Sequence, residues 1–366
     1  MNANLFDILE TGITDPDATA IETAGGQRIS YGDLVARTGR MANALAGLGV
    51  KPGDRVAAQV EKSVQAIILY LATVRAGAVF LPLNTGYTPS EIDYFIGDAT
   101  PAILVSDPAR ADALSDAAAR AGARIMTLDA AGQGSLTDAA ADQPADFATV
   151  ACGSDDLAAL LYTSGTTGRS KGAMLTHGNL VSNTQALREA WRYTADDVLI
   201  HALPIFHTHG LFVATNVTLF SGASMIFLPK FDPDRIIALM DRATVLMGVP
   251  TFYVRLLADA RLDRETTRGM RLFISVSVSA DTLLLPGIGA GVTRVSSRSS
   301  WKPTPDALTT MSKSAAWVAT CSRASTAPGS WVTSNVGRPR LRAWSNTQAR
   351  NRPRRAASSL PKGSSK

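Results

Sequence analysis

The stretch Leu161-Tyr162-Thr163-Ser164-Gly165-Thr166-Thr167-Gly168-Arg169-Ser170-Lys171-Gly172 decides how this chain is read. It concentrates serine and threonine hydroxyls, three glycines, an arginine and a lysine in one short segment. Glycine lets a backbone turn and approach a ligand without a side-chain penalty. Hydroxyls and free backbone N–H groups bond phosphate oxygens, and lysine adds a compact positive charge. The apolar run Leu157-Ala158-Ala159-Leu160-Leu161 leads in as a buried strand, so the segment is expected at the end of a rigid element. It is not a Walker A loop, because Arg169 rather than lysine follows Gly168. A solvent-exposed Gly/Ser/Thr hairpin is the plain alternative.

Working outward, helix-like and strand-like segments alternate through residues 1–275. Leu34, Val35, Met41, Leu45 and Leu48 recur at helical spacing over Tyr31–Leu48, with Ser30 as a candidate N-cap. Further helices are expected at 63–75, 89–96, 108–121, 179–191, 209–220, 232–240 and 251–257. Strands are expected at 55–60, 78–83, 102–106, 124–128, 198–203, 223–228, 244–248 and 272–275. Residues 130–146, rich in Ala, Gly, Asp and Gln, read as a mobile connector. The alternation predicts an α/β fold, two mostly parallel sheets with flanking helices. Ligands in such folds lie beyond the carboxyl ends of strands. The glycine-rich segment and the histidine segment after strand 198–203 both stand at such ends.

All four histidines lie between 177 and 209. No cysteine or close-set carboxylate completes a zinc set around them. His177 and His201 read as structural. His207-Thr208-His209-Gly210 follows Leu203-Pro204-Ile205-Phe206 at a strand-to-helix junction, where a simple helix cap is the alternative reading. Arg255 sits on a short, largely apolar helix. It is either a snorkelling surface arginine or a clamp for a second carboxylate.

The segment 161–172 resembles, residue for residue, the phosphate loop of the adenylate-forming superfamily, which includes acyl-CoA synthetases, luciferases and peptide-synthetase adenylation domains. The segments 203–212 and Met247-Gly248-Val249-Pro250-Thr251-Phe252-Tyr253 are similar to the malonyl-CoA synthetases within it. The resemblance covers about residues 4–275, part of the family's large N-terminal domain. It implies a two-step reaction using ATP, Mg²⁺ and CoA. A carboxylate attacks the α-phosphorus, giving acyl-AMP and diphosphate, and the CoA thiol then displaces AMP. The implied substrate is malonate or another short carboxylic acid. Thr163, Ser164, Gly165, Thr166, Thr167, Gly168 and Lys171 would cradle the triphosphate, with Thr167 the candidate metal contact. His207 would sit by the activated carboxyl as the catalytic candidate. Thr208 would line the acyl pocket beside it, and His209 is a weaker candidate. Arg255 would bind the second carboxylate.

Residues 276–366 depart from this pattern. They hold 14 basic and two acidic side chains, a net of +12, of the chain's 36 and 31. Residues 1–275 therefore hold 22 basic and 29 acidic, a net of −7. The last quarter has no His, Glu, Phe or Tyr, yet four of the five tryptophans. A frameshifted translation of a GC-rich gene is the favoured origin, ahead of a disordered basic tail and a folded new domain. The family's Tyr-Gly-x-Thr-Glu and Thr-Gly-Asp segments and its C-terminal cap domain are not expected there. The expectation is a ligase by ancestry with little or no activity as this chain. The alternative is a non-catalytic nucleotide-binding remnant whose basic tail grips an anionic surface. A nucleic-acid partner is not expected.

Asp7 and Glu10 interrupt the first apolar residues, and Arg75 and Gly77 break the longest apolar run. No secretory signal and no membrane span are expected, which makes cytoplasm the default. Cys152 and Cys321 suggest neither a disulfide framework nor a metal cluster.

Overall fold

The structure is a computed structural model that describes residues 2–163 and 170–275. Among the described residues twelve strands run in chain order. They are β1 (Thr19–Thr23), β2 (Arg28–Ser30), β3 (Arg55–Gln59), β4 (Val79–Pro82), β5 (Ile103–Ser106), β6 (Arg124–Thr127), β7 (Leu157–Thr163), β8 (Lys171–Thr176), β9 (Val198–His201), β10 (Ser224–Phe227), β11 (Val245–Gly248) and β12 (Leu272–Ser275). One sheet has the order β12-β11-β9-β10-β1-β2 and the other β6-β5-β3-β4-β7-β8. Each is parallel apart from one antiparallel pair at its edge, β1/β2 and β7/β8 respectively.

Side-chain alternation explains the layers. Successive residues of a strand point to opposite faces. Val56 and Ala58 of β3 enter one apolar core while Ala57 enters another. Leu199 of β9 joins the first core, and Ile200 a third. The first core thus lies between the sheets and takes side chains from both, together with the helices Tyr31–Gly47, Val64–Arg75 and His177–Trp191. The helices Pro89–Ala99 and Pro108–Ala121 cover the outer face of the second sheet. Pro233–Leu239 and Pro250–Leu257 cover the outer face of the first. Parallel strands buried on both faces need this helix–sheet–helix–sheet–helix stacking. Tyr70 crosses the central layer, its hydroxyl 3.2 Å from Asn216 Oδ1. The Tyr31 hydroxyl donates to the Ala223 carbonyl at 2.7 Å. Both keep their polar atoms paired inside the core, where an unpaired group would cost about 1–3 kcal/mol.

The expected α/β architecture of two mostly parallel sheets with flanking helices is observed, with most elements inside their expected ranges. Ser30 caps the helix Tyr31–Gly47 by accepting from the Asp33 N–H. One expectation is corrected, and the helix expected over 209–220 is observed with a π-helical first half. Residues 130–146 contain a helix, Ser135–Ala141, whose Leu136 and Ala140 turn one face into the core. Asn43 Nδ2 donates to the Pro144 and Asp146 carbonyls at 2.8 and 2.9 Å, pinning the segment that follows. Residues 209–220 form a π-helix, His209–Thr215, continued by an α-helix, Asn216–Phe220. Among the described residues no helix is long and apolar enough to cross a membrane.

Candidate active site

The antiparallel pair β7/β8 brings Thr163 and Lys171 opposite one another as register partners. The strand leading into the glycine-rich segment and the strand leading out are therefore neighbours at the edge of one sheet. Lys171 is exposed. Ser164, Gly165, Thr166, Thr167 and Gly168 lie outside the described residues, and of Thr163 only the backbone is described. Among the described residues no group of three or more His, Cys, Asp and Glu side chains is gathered to hold a metal ion. The candidate metal contact Thr167 lies outside the described residues.

A pocket of about 90 Å³ opens beside this edge. Its walls come from three places. Pro82 ends β4 and Asn84 and Tyr87 follow it, Leu161 and Tyr162 belong to β7, and Phe206, His207 and Thr208 follow β9. Three strand ends from two sheets thus converge, as ligand sites in parallel α/β folds do. Each wall is held. Gln59 Nε2 donates to the Asn84 and Tyr87 carbonyls at 2.9 and 3.1 Å. The Arg110 guanidinium donates to the Thr85 and Tyr87 carbonyls at 2.5 and 2.7 Å. The Tyr162 ring packs against Phe95 at 4.5 Å, and its hydroxyl donates to Asp98 Oδ2 at 2.6 Å. Burial, with Asp98 beside it, pushes the Tyr162 phenol well above its ordinary pKa, so it stays a neutral donor.

His207 and Thr208 are exposed at the pocket, as expected of ligand-facing groups. The His207 ring lies 4.6 Å from that of Phe206. Packing on that side lowers its pKa below the ordinary histidine value, while its open edge remains hydrated. At neutral pH the imidazole is uncharged. His209 points into the protein, only 9% exposed, and neither ring nitrogen has a partner among the described residues. Burial lowers its pKa to about 4.

The turn carrying these histidines is tightly built. A Cβ on Gly210 would stand 2.0 Å from the Pro204 carbonyl oxygen, so only glycine fits. The Gly210 carbonyl accepts from the Thr215 hydroxyl at 3.0 Å and lies 2.9 Å from His201 Nε2. His177 is fully buried, its Nδ1 accepting the Leu5 N–H at 3.0 Å, and burial lowers its pKa to about 4. Both it and His201 hold backbone in place, the structural part expected of them.

Arg255 stands apart from the pocket. It is exposed on the helix Pro250–Leu257, its guanidinium 4.8 Å over the Phe231 ring, which stacks on Phe252 at 4.0 Å. The structure therefore brings His207 and Thr208 together with the end of β7 but does not bring Arg255 to them. Sequence reasoning did not single out Asn84, Tyr87 or Tyr162 as pocket residues. Their one available signal was position, since each lies at or just after the carboxyl end of a parallel-sheet strand.

Residues 10–293 match the AMP-binding enzyme family. The chain belongs to that family. It is 38% identical over 248 residues to a feruloyl-CoA synthase of an Amycolatopsis species, covering 67% of this chain and 48% of the relative. It is 30% identical over 298 residues to a malonate–CoA ligase of Arabidopsis thaliana, covering 71% and 49%. The chain spans about half the length of these curated relatives. Among solved structures, apo MatB from Rhodopseudomonas palustris is 65% identical with a TM-score of 0.75, over 76% of this chain and 55% of that one. ATP-bound MatB matches with the same values. The chain has the fold expected for the N-terminal part of an adenylate-forming enzyme.

Proposed function

We propose that residues 4–275 carry the phosphate and acyl half of a malonate-activating acid–CoA ligase, and that the chain as it stands turns over little or no substrate. The observation that carries this reading is the pocket that sets His207 and Thr208 against Tyr162, on the strand that leads into the glycine-rich segment. Bound ATP would supply the adenylyl group that activates the carboxylate, with diphosphate as the leaving group. The chain's own residues would do the positioning. The exposed Lys171 ammonium neutralises phosphate charge at the mouth of the site. The hydroxyls and N–H groups of 163–168 complete the cradle, Thr167 among them as the candidate Mg²⁺ contact. Neutral His207 donates a hydrogen bond to the carboxylate as it turns toward phosphorus, and Thr208 closes the pocket beside it. CoA would then take the acyl group.

Malonate is favoured over a bulkier acid on two grounds. Drug-sized sites occupy roughly 300–1,000 Å³, and this pocket, at about 90 Å³, is far smaller. A malonate–CoA ligase of Arabidopsis thaliana is among the relatives, at 30% identity. Arg255 is retained as the proposed partner of the second carboxylate, because it has no acidic partner among the described residues and rests only on Phe231. Low turnover is argued from residues 276–366, which contain no Tyr and no Glu to contact adenine and metal. Malonate-dependent diphosphate release by the purified chain tests this. A rate at background is expected, and a rate ordinary for the family would overturn the claim of inactivity. A synthetase of other acyl specificity is the second reading within the same chemistry, favoured by the 38% identity to a feruloyl-CoA synthase.

A further inference from the structure

Lys62 lies between β3 and the helix Val64–Arg75, far in sequence from the histidine segment. Its stem is half-buried and its nitrogen enclosed. No described carboxylate pairs with it. Nζ instead lies 2.9 Å from His201 Nδ1, donates to the His201 carbonyl at 2.9 Å, and stands 4.3 Å over the Phe227 ring. A lysine is an expensive way to fill such a space unless its donors are used.

Donor and acceptor accounting fixes the His201 ring. Its Nε2 faces the Gly210 carbonyl at 2.9 Å, and a carbonyl can only accept. Nε2 therefore carries the proton. Burial and the neighbouring Lys62 keep the ring from taking a second proton, and His209 acts in the same sense. Nδ1 is then bare, and Lys62 Nζ must donate to it. The resulting line runs from the end of β3 in one sheet, through the end of β9 in the other, to the first turn of the π-helix. Gly210 is three residues from His207, and the next residue, Leu211, donates its N–H to the His207 carbonyl at 3.0 Å.

We propose that Lys62 is a positioning residue of the acyl pocket, acting through His201: its bond to Nδ1 selects the tautomer that grips the Gly210 carbonyl and so fixes the turn carrying His207 and Thr208. This rests on the reading of His207 as a pocket residue, but its test needs no substrate.

The full chain is labelled with ¹⁵N-histidine, and the four ring systems are assigned by single substitutions. His201 is expected as the Nε2–H tautomer with an unprotonated Nδ1. Observing the Nδ1–H tautomer in the unmodified chain would overturn the proposal. In Lys62→Met the His201 tautomer should become mixed. The His207 signals should shift and broaden, and its titration midpoint should rise by several tenths of a unit toward the ordinary histidine value. His177, on a different helix, should stay unchanged. A folded Lys62→Met whose His207 signals and midpoint match the unmodified chain contradicts the proposal. Should Lys62→Met fail to fold, His201→Gln and His201→Leu decide. Gln keeps a donor for Gly210 and should leave His207 near its original midpoint, whereas Leu should move it. Equal behaviour of the two would again contradict the proposal. Adding malonate to the same sample separates the two claims. No response to malonate, with the His207 shift present, removes the acyl-pocket reading and leaves the Lys62–His201 coupling standing.

Discussion

Thr163 and Lys171 face each other across the antiparallel pair β7/β8, so both ends of the glycine-rich segment are anchored at one sheet edge. A loop whose ends are held this close can present backbone N–H groups and the Lys171 ammonium to one ligand. Lys171 is exposed and adds little to the fold. Lys171→Met should therefore weaken binding of ATP or diphosphate about tenfold or more, because a charge-assisted hydrogen bond contributes ~1.5–3 kcal/mol. Its melting temperature should not change. Calorimetric titration beside a thermal melt checks both halves.

Asp197, 2% exposed, ties the first sheet's edge together. It accepts from the Thr244 hydroxyl at 2.7 Å, from Arg271 Nε at 2.5 Å and from the Thr194 N–H at 2.9 Å, and the Arg271 terminal nitrogen closes a second bond. Removing the carboxylate leaves the Thr244 hydroxyl and Thr194 N–H without their acceptor, while Arg271, 35% exposed, can turn to water. Asp197→Ala should cost about 1–3 kcal/mol, read as a lower urea midpoint.

Acid should destabilise the protein through its buried histidines. His177 and His209 are held to a pKa of about 4 by burial, against an ordinary value of 6.5. Between those values the unfolded chain binds more protons than the folded one, so stability rises with pH. It is complete above about pH 6.5 and is lost as pH falls toward 4. For His177 alone the loss from pH 7 to pH 5 is about 2 kcal/mol. His177→Asn keeps an acceptor for the Leu5 N–H and cannot titrate in this range. Urea midpoints for that variant should fall less steeply between pH 7 and pH 5 than for the unmodified chain.

Gly210 has no room for a side chain. Gly210→Ala forces its Cβ against the Pro204 carbonyl, 2.0 Å away before relaxation. The turn must shift, at a cost of about 1–3 kcal/mol, and His207 should move with it. A lower melting temperature together with displaced His207 signals is expected, and a melt equal to the unmodified chain would contradict the geometry.

Most of the parallel strands were legible because each is a short apolar run between turn residues, β1 (Thr19–Thr23) being the exception. Val79–Pro82 is buried at every position. The edge elements were not. β2, Arg28–Ser30, has one buried residue in three, so alternation had no length in which to appear. β8 begins with Lys171-Gly172 and reads as more of the loop. The phosphate segment and His207-Thr208 were visible as local motifs. The contacts that place them were not: Lys62 meets His201 across 139 residues of sequence and leaves no local pattern. The helix Ser135–Ala141 was hidden by its composition, since its core-facing side is one leucine and one alanine.

The central claim is that residues 4–275 retain the malonate-selecting half of an acid–CoA ligase. Its most direct test joins residues 1–275 of this chain to the corresponding remainder of Rhodopseudomonas palustris MatB, with which it is 65% identical. Diphosphate release is then measured with malonate, butyrate and ferulate. Malonate-dependent release well above that with the other two acids is the expected result. A folded hybrid that prefers ferulate or butyrate, or releases no diphosphate with any acid, would contradict the account.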